Sequence, residues 1–256
     1  MTRPRLVLFD IGSTLWSSPP EDEGALAFCY GRARDVLTRE LADGTPPMEA
    51  LIDAVEGYFA EWEDIWRQEA DRVEQPPTYQ YVAEALARIG LAPSSEAVAE
   101  FTDMLLETSI YTARAEAPEQ GMAEALAALK SRGLRLACVS NAFMPAAALQ
   151  RIMVEKGLGQ YLDFTVSSCE LGIRKPDPRI YEEALRVAGV TAEETIFVGD
   201  RLDADVAGPA SLGMRTVLTH QYRVEDPTHA PVQPDCVVAH LTELVDYVDT
   251  VLAAET

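Results

Sequence analysis

The sequence predicts an α/β protein, a doubly wound parallel sheet that carries an all-helical insertion. Three observations predict it. The runs Leu6–Phe9, Leu136–Val139 and Ile196–Val198 are continuously apolar, as strands buried on both faces are. Helical patterns alternate with such runs through the second half of the chain, which is how a parallel sheet acquires helices on both sides. Between the first run and the second lies a stretch of about a hundred residues, 17–116, a small domain's worth, that reads mainly as helix.

The first strand delivers Asp10 at its carboxyl end, where ligands bind in open α/β sheets. Gly12, Ser13 and Thr14 then offer a tight turn with free N–H groups and hydroxyls, suited to an anion. Asp10 there could be a nucleophile or a metal ligand, although taken alone a strand-terminal Asp reads better as a helix N-cap. The stretches EGALAFCYGRARDVLTREL, MEALIDAVEGYFAEWEDIW and YQYVAEALARIG place apolar residues at three- and four-residue spacing, and Ser94–Arg114 supplies another helix. Pro19-Pro20, Pro46-Pro47 and Pro76-Pro77 separate them, where a helix cannot continue. The division expected is a core of residues 1–16 and 117–256 and an insertion of 17–116, with joints near Leu15–Pro20 and Ala113–Pro118.

Beyond the insertion, a helix is expected over Pro118–Leu129, a strand ending at Ser140, and a helix over Met144–Lys156 stopped by Gly157-Leu158-Gly159. A short strand at Phe164–Ser167 and a helix at Pro178–Ala188, capped by Asp177, follow. After the strand that ends at Gly199 come a helix, strands at Thr216–Leu218 and Cys236–Val238, and a last helix over Leu241–Leu252.

The polar residues at the strand ends form a chemical set. Ser140 and Asn141 follow one strand, Arg174 and Lys175 precede the Pro-Asp-Pro helix start, and Asp200, Asp203 and Asp205 follow another strand. A carboxylate to attack, a hydroxyl and an ammonium to hold phosphate oxygens, and further carboxylates for a hard divalent cation suit phosphoryl transfer.

In order and spacing these residues resemble the four motifs of the haloacid dehalogenase (HAD) superfamily, over nearly the whole chain outside the insertion. The resemblance implies a Rossmann-like core and a helical cap that closes over the site. It implies Asp10 as the nucleophile that forms an aspartyl-phosphate, Ser140 as a phosphoryl-oxygen ligand with Asn141 beside it, and Lys175 as the neutralising cation. Ser13, Thr14 and Arg174 join the phosphate-binding set. Mg²⁺ would be held by Asp10, the backbone carbonyl of Gly12 and Asp200, with Asp205 in support. The partner implied is a small phosphorylated metabolite.

One position departs from the motif. HAD phosphatases carry a second Asp two residues after the nucleophile, which protonates the leaving oxygen and later activates water; this chain has Gly12. General acid–base help contributes roughly 10²–10⁴-fold in typical enzymes, so the loss should fall on alkyl phosphates and spare acyl and aryl phosphates. Two other readings rest on the same residues: a non-catalytic HAD-fold protein that binds a phosphorylated ligand, favoured by Gly12, and a metal-free haloacid dehalogenase, disfavoured by the acidic cluster. Schiff-base chemistry of the phosphonoacetaldehyde hydrolase kind needs a cap lysine, and Lys130, Lys156 and Lys175 all lie outside the insertion.

Composition narrows the partners. A formal net charge of −21 opposes nucleic-acid binding. No apolar run is long enough to span a bilayer, and Met1-Thr-Arg-Pro leads into a strand rather than a signal peptide. Cys29, Cys138, Cys169 and Cys236 are widely spaced and read as reduced thiols, which together with the preceding points suggests the cytoplasm. A monomer or homodimer is expected. Trp62 and Trp66 read as packing within the insertion, Arg32 and Arg34 as solvated surface, and His220, His229 and His240 as loop residues. Arg201 and Asp203 either shape the metal's surroundings or pair with each other.

Overall fold

The computed structural model describes residues 2–17, 23–69, 71–113 and 118–254. Its centre is a six-stranded parallel sheet. The strands are β1 (Leu6–Phe9), β2 (Arg135–Ser140), β3 (Thr165–Ser167), β4 (Thr195–Gly199), β5 (Arg215–Thr219) and β6 (Cys236–Val238), in the order β3-β2-β1-β4-β5-β6. β1 is the strand at which the winding reverses: β2 pairs along one side of it and β4 along the other. The crevice above such a strand is where open α/β sheets bind ligands.

The apolar runs are continuous because both faces of the sheet are covered. In β1, Leu6 and Leu8 point into one core with Ala137, Val139 and Phe197, and Val7 and Phe9 point into another with Leu136, Cys138, Ile196 and Val198. The first core is closed by Ile180, Tyr181 and Ala184 of helix Pro178–Ala188. The second is closed by the helices Met122–Ser131, Ala146–Glu155 and Leu244–Ala253. Burying each such aliphatic side chain contributes about 1.5–3 kcal/mol.

Between β1 and β2 lie four helices, α1 (Glu23–Leu41), α2 (Met48–Gln68), α3 (Thr78–Arg88) and α4 (Ser95–Thr112). They bury a core of their own, with Ala33 and Leu37 of α1, Leu51, Val55 and Tyr58 of α2, Tyr81, Val82 and Leu86 of α3, and Val98 and Phe101 of α4. Trp62 and Trp66 pack against that core, with ring centroids 5.5 Å apart. Ser94 caps α4 by accepting from the Ala97 N–H at 3.2 Å.

Two helices begin later than their periodicity suggests, each for a local reason. The helix expected from Pro118 starts at Met122, after Gly121 takes the left-handed conformation (φ 84°). The helix expected from Met144 starts at Ala146, after Pro145. The segment expected as the last helix opens with a 3₁₀ turn at Leu241–Glu243 before the α-helix proper. The joints expected at Leu15–Pro20 and Ala113–Pro118 fall largely outside the described residues.

Candidate active site

The carboxyl ends of β1, β2 and β4, the three central strands, deliver Asp10, Ser140 and Asp200 to one edge of the sheet. Asp10 continues the β1 ladder by donating its N–H to the Val198 carbonyl at 2.9 Å. Lys175 enters from the loop that precedes helix Pro178–Ala188 and is 5 % exposed. Its ammonium donates to Asp10 Oδ1 and to Asp205 Oδ1, both at 2.7 Å.

Asp205 is held from both sides. Its second oxygen, Oδ2, accepts the backbone N–H groups of Asp200 at 3.1 Å and Arg201 at 3.0 Å. The π-helical turn Leu202–Ala207 places it under the loop. Gly199 leaves it space, since a Cβ at that position would run into the Asp205 side chain. The glycine before Asp200 is therefore a steric requirement of the carboxylate five residues on.

Carboxylate oxygens of Asp10, Asp200 and Asp205 lie within 4.8 Å of one another, and all three residues are buried. Burial pushes the Asp10 carboxyl above its ordinary value, against the pull of Lys175. Burial and the Asp205 charge likewise raise Asp200. Asp205 is pushed up to about 6 by burial, against Lys175 and with Asp10. For Lys175, burial works against the charge, but Asp10 and Asp205 outweigh it and hold the ammonium above its usual range. Three buried carboxylates thus face one buried ammonium. An all-oxygen donor set with surplus negative charge fits a hard divalent cation.

The other residues singled out from sequence divide into those beside this cluster and those engaged elsewhere. Thr14 is fully buried and donates its hydroxyl to Asp200 Oδ1 at 3.3 Å, so it braces a carboxylate. Ser13 sits in the left-handed region (φ 57°) and donates its N–H to the Trp16 carbonyl at 2.6 Å, closing the turn after Asp10. Gly12 is exposed, and a Cβ built on it would meet no atom within 4 Å. Asn141 clamps the Lys175 main chain: its Nδ2 donates to the Lys175 carbonyl at 2.9 Å, and its Oδ1 accepts the Lys175 N–H at 2.7 Å.

Arg174 is engaged with the helical insertion. Its guanidinium lies 3.7 Å from the Trp66 ring centroid and donates to Gln75 Oε1 at 2.9 Å. Burial lowers it to about 10. Arg201 pairs with Asp203 at 3.2 Å at the surface, and His220 Nε2 bonds the Glu225 carbonyl at 2.9 Å. Arg34 donates to the carbonyls of Pro46 and Thr45, within the insertion.

Sequence reasoning passed over two participants. Arg223, on the loop after β5, lies 3.2 Å from Asp200 Oδ2. The only signal for it is topological, because β5 pairs with β4 and brings the two following loops together. Gln75, at the foot of α3, is 2 % exposed. It donates to the Ala142 carbonyl at 2.8 Å and accepts from Ser168 Oγ at 2.7 Å. The main chain joins in, as the Gln75 N–H donates to Gly172 and the Arg174 N–H to Val73. The insertion is thereby tied to the loop that carries Lys175.

This strand order and site geometry define a class. The chain matches the haloacid dehalogenase-like hydrolase family over residues 4–213 and belongs to it. It is 32% identical over 255 residues to a phosphoserine phosphatase of Thermus thermophilus, covering 94% of this chain and 97% of that protein. It is 31% identical to a glyceraldehyde 3-phosphate phosphatase of Methanopyrus kandleri, over 64% of this chain and 69% of the relative. The structure superposes on a 2-haloacid dehalogenase from Pseudomonas syringae pv. Tomato DC3000 with a TM-score of 0.62 and 25% identity, covering 99% of this chain and 100% of that one. No helix among the described residues is long and apolar enough to cross a membrane.

Proposed function

We propose that this hydrolase is a Mg²⁺-dependent phosphatase-like enzyme acting on a small phosphorylated metabolite through an aspartyl-phosphate on Asp10. The observation that carries the reading is the Asp10–Lys175–Asp205 chain of ion pairs beside Asp200, at the sheet's switch point. Phosphatase relatives over most of the chain support it. The four helices between β1 and β2 are taken as a cap, residues 17–116, on a core of 1–16 and 117–256.

Lys175 fixes Asp10 through Oδ1, which leaves Oδ2 to attack. The Oδ2–phosphorus bond forms as the phosphorus–oxygen bond to the leaving group breaks, and the departing oxygen keeps the electron pair. Lys175 and Ser140 balance charge on the phosphoryl oxygens. Water then adds to phosphorus, releasing phosphate and one proton and restoring the Asp10 carboxylate. Asp10, Asp200 and the Gly12 carbonyl are the residues that would hold Mg²⁺, with Asp205 behind them. Bound there, the ion would supply charge neutralisation at the phosphoryl group. Free cysteines at all four positions suit a reducing cytoplasm.

The test is phosphate release from acetyl phosphate and p-nitrophenyl phosphate with Mg²⁺ or EDTA, for wild type and Asp10→Asn. Mg²⁺-dependent release that disappears in the variant is the expected result. Release that persists in folded Asp10→Asn overturns the nucleophile assignment. Halide release from a 2-haloacid, unaffected by EDTA, would establish the dehalogenase reading instead.

A further inference from the structure

A chamber of about 380 Å³ lies between the helical insertion and the core. Its wall on the core side comes from the two loops that carry the site: Trp16 follows Asp10 and Gly12, and Phe143 and Met144 follow Ser140 and Asn141. The insertion supplies the rest, including Val55 and Phe59 of α2, Val82 of α3, and Leu105 and Leu106 of α4. Asp10, Ser140 and Lys175 do not themselves line it, and a substrate held at Asp10 would enter it past Trp16, Phe143 and Met144.

The chemistry of the wall is selective. Among the described residues that line it there is no lysine, arginine or histidine, and the one charged side chain is Glu56. Two cations lie outside the lining, one of them behind a wall residue. Arg174 is stacked on Trp66, and Lys156 packs its ammonium 5.6 Å from the Trp16 ring centroid at 4 % exposure. A second phosphate or a carboxylate entering the chamber would lose its hydration and meet no partner charge.

The hydroxyls on the wall are less available than their number suggests. Thr102, Thr108 and Thr112 donate to the carbonyls of Val98, Met104 and Ser109 in their own helix, and Thr78 donates to Phe143. With those protons committed to the main chain, the wall presents mostly methyl groups and aromatic faces, and its remaining polar side chains are Glu56, Ser109 and Tyr30. A cavity of about 150 Å³ lined by aliphatic groups takes up benzene. The present volume has space for a bicyclic ring.

Gly12 points the same way from a separate observation. With no carboxylic acid at that position, no proton reaches the oxygen that leaves phosphorus from there, which favours a leaving group stable as an anion. A phenol or a carboxylic acid yields such an anion readily, and an alkyl alcohol does not.

We infer that the substrate is an aryl phosphate monoester or an acyl phosphate with an uncharged aromatic body up to bicyclic size and no second anionic group. The inference rests on the phosphohydrolase reading above and adds the identity of the leaving group. In the step, the Asp10 oxygen bonds to phosphorus, the phosphorus–aryl oxygen bond breaks, and the aryloxide carries off the electron pair. The aryloxide then takes a proton from solvent.

The experiment compares kcat/KM of the full chain with Mg²⁺ for 1-naphthyl phosphate, acetyl phosphate, phosphoserine and phosphoglycolate. Naphthyl phosphate should exceed the two carboxylate substrates by a hundredfold or more. Leu105→Trp, which fills the chamber, should lower the naphthyl-to-acetyl ratio at least tenfold, and Ser109→Trp should do the same if the first variant misfolds. Phosphoserine or phosphoglycolate turned over as well as naphthyl phosphate overturns the inference while leaving the phosphohydrolase reading intact. Absence of release from every substrate, acetyl phosphate included, sinks the phosphohydrolase reading. Calorimetric titration with 1-naphthol then reads the chamber alone: binding that either filler abolishes supports it, and no binding to wild type overturns it.

Discussion

The Lys175 ammonium stands 2.7 Å from Asp10 Oδ1 and is buried with it, so the nucleophile candidate and its cation are fixed before any substrate arrives. The same ammonium reaches Asp205 at 2.7 Å. Removing it leaves two buried carboxylates facing each other with no counter-charge. Breaking a buried ion pair from one side costs about 3–5 kcal/mol. Lys175→Met should lose stability on that scale in urea unfolding and lose turnover with it. A variant that unfolds at the wild-type urea concentration would show that the pair adds nothing to the fold.

Gly12 is open to substitution, since a Cβ there meets no atom within 4 Å and the backbone lies outside the left-handed region. Gly12→Asp should fold normally and restore a proton donor beside the departing oxygen. A gain of roughly 10²–10⁴-fold is the range for general acid help. It should appear on an alkyl substrate such as glycerol phosphate and hardly at all on phenyl phosphate. Equal gains on both would mean that leaving-group protonation is not what the glycine costs.

Asn141 holds the Lys175 peptide at both ends, which makes it a positioning residue. Asn141→Ala frees that peptide. Displacing a reacting group by an ångström can cost about 10²-fold in rate. The expected result is a lower kcat with KM little changed. A residue that bound the phosphate directly would raise KM instead, so the split between the two constants decides.

The sheet was legible because strands buried on both faces must be apolar throughout, and Leu6–Phe9 and Ile196–Val198 have no other use for that pattern. The insertion was legible from helical spacing and the proline pairs. Asp10, Ser140 and Asp200 were legible because strand ends converge in this topology, and Lys175 and Asp205 through the resemblance of the motifs that carry them. What sequence could not give is the partner of each side chain. Nothing local distinguishes an Arg174 aimed at phosphate from one stacked on Trp66, or an Asn141 facing ligand from one clamping Lys175. Those choices are made by contacts between residues far apart in the chain, as are the placements of Gln75 and Arg223.

Arg174 ties the insertion to the core through Trp66 and Gln75, both on the insertion. A desolvated cation–π contact is worth about 2 kcal/mol, and loss of the guanidinium also strips a donor from Gln75. Arg174→Ala should therefore unfold at lower urea by about 2 kcal/mol, and Arg174→Lys should recover only part of it because an ammonium cannot stack as a plane. Unchanged stability with a raised KM for phosphate esters would return Arg174 to the phosphate-binding set.

Asp163 links β2 to the helix Met122–Ser131 through Arg135 at 3.0 Å and Lys130 at 2.7 Å. Burial alone would raise its carboxyl, but the hydrogen bonds and charges of those two partners prevail and hold it below the ordinary value. A depressed carboxylate contributes stability that is fully present above its unfolded pKa, about 3.9. That contribution is lost as pH falls through the lower folded value, because the unfolded chain then binds the proton first. The group is partly exposed and screened, so the contribution should be about 1 kcal/mol or less. Asp163→Asn should be less stable than wild type by that amount at pH 7 in urea unfolding. The two curves should draw together as pH falls below the unfolded value, and a difference that persists or grows on acidification would show that the ion pairs are not its source.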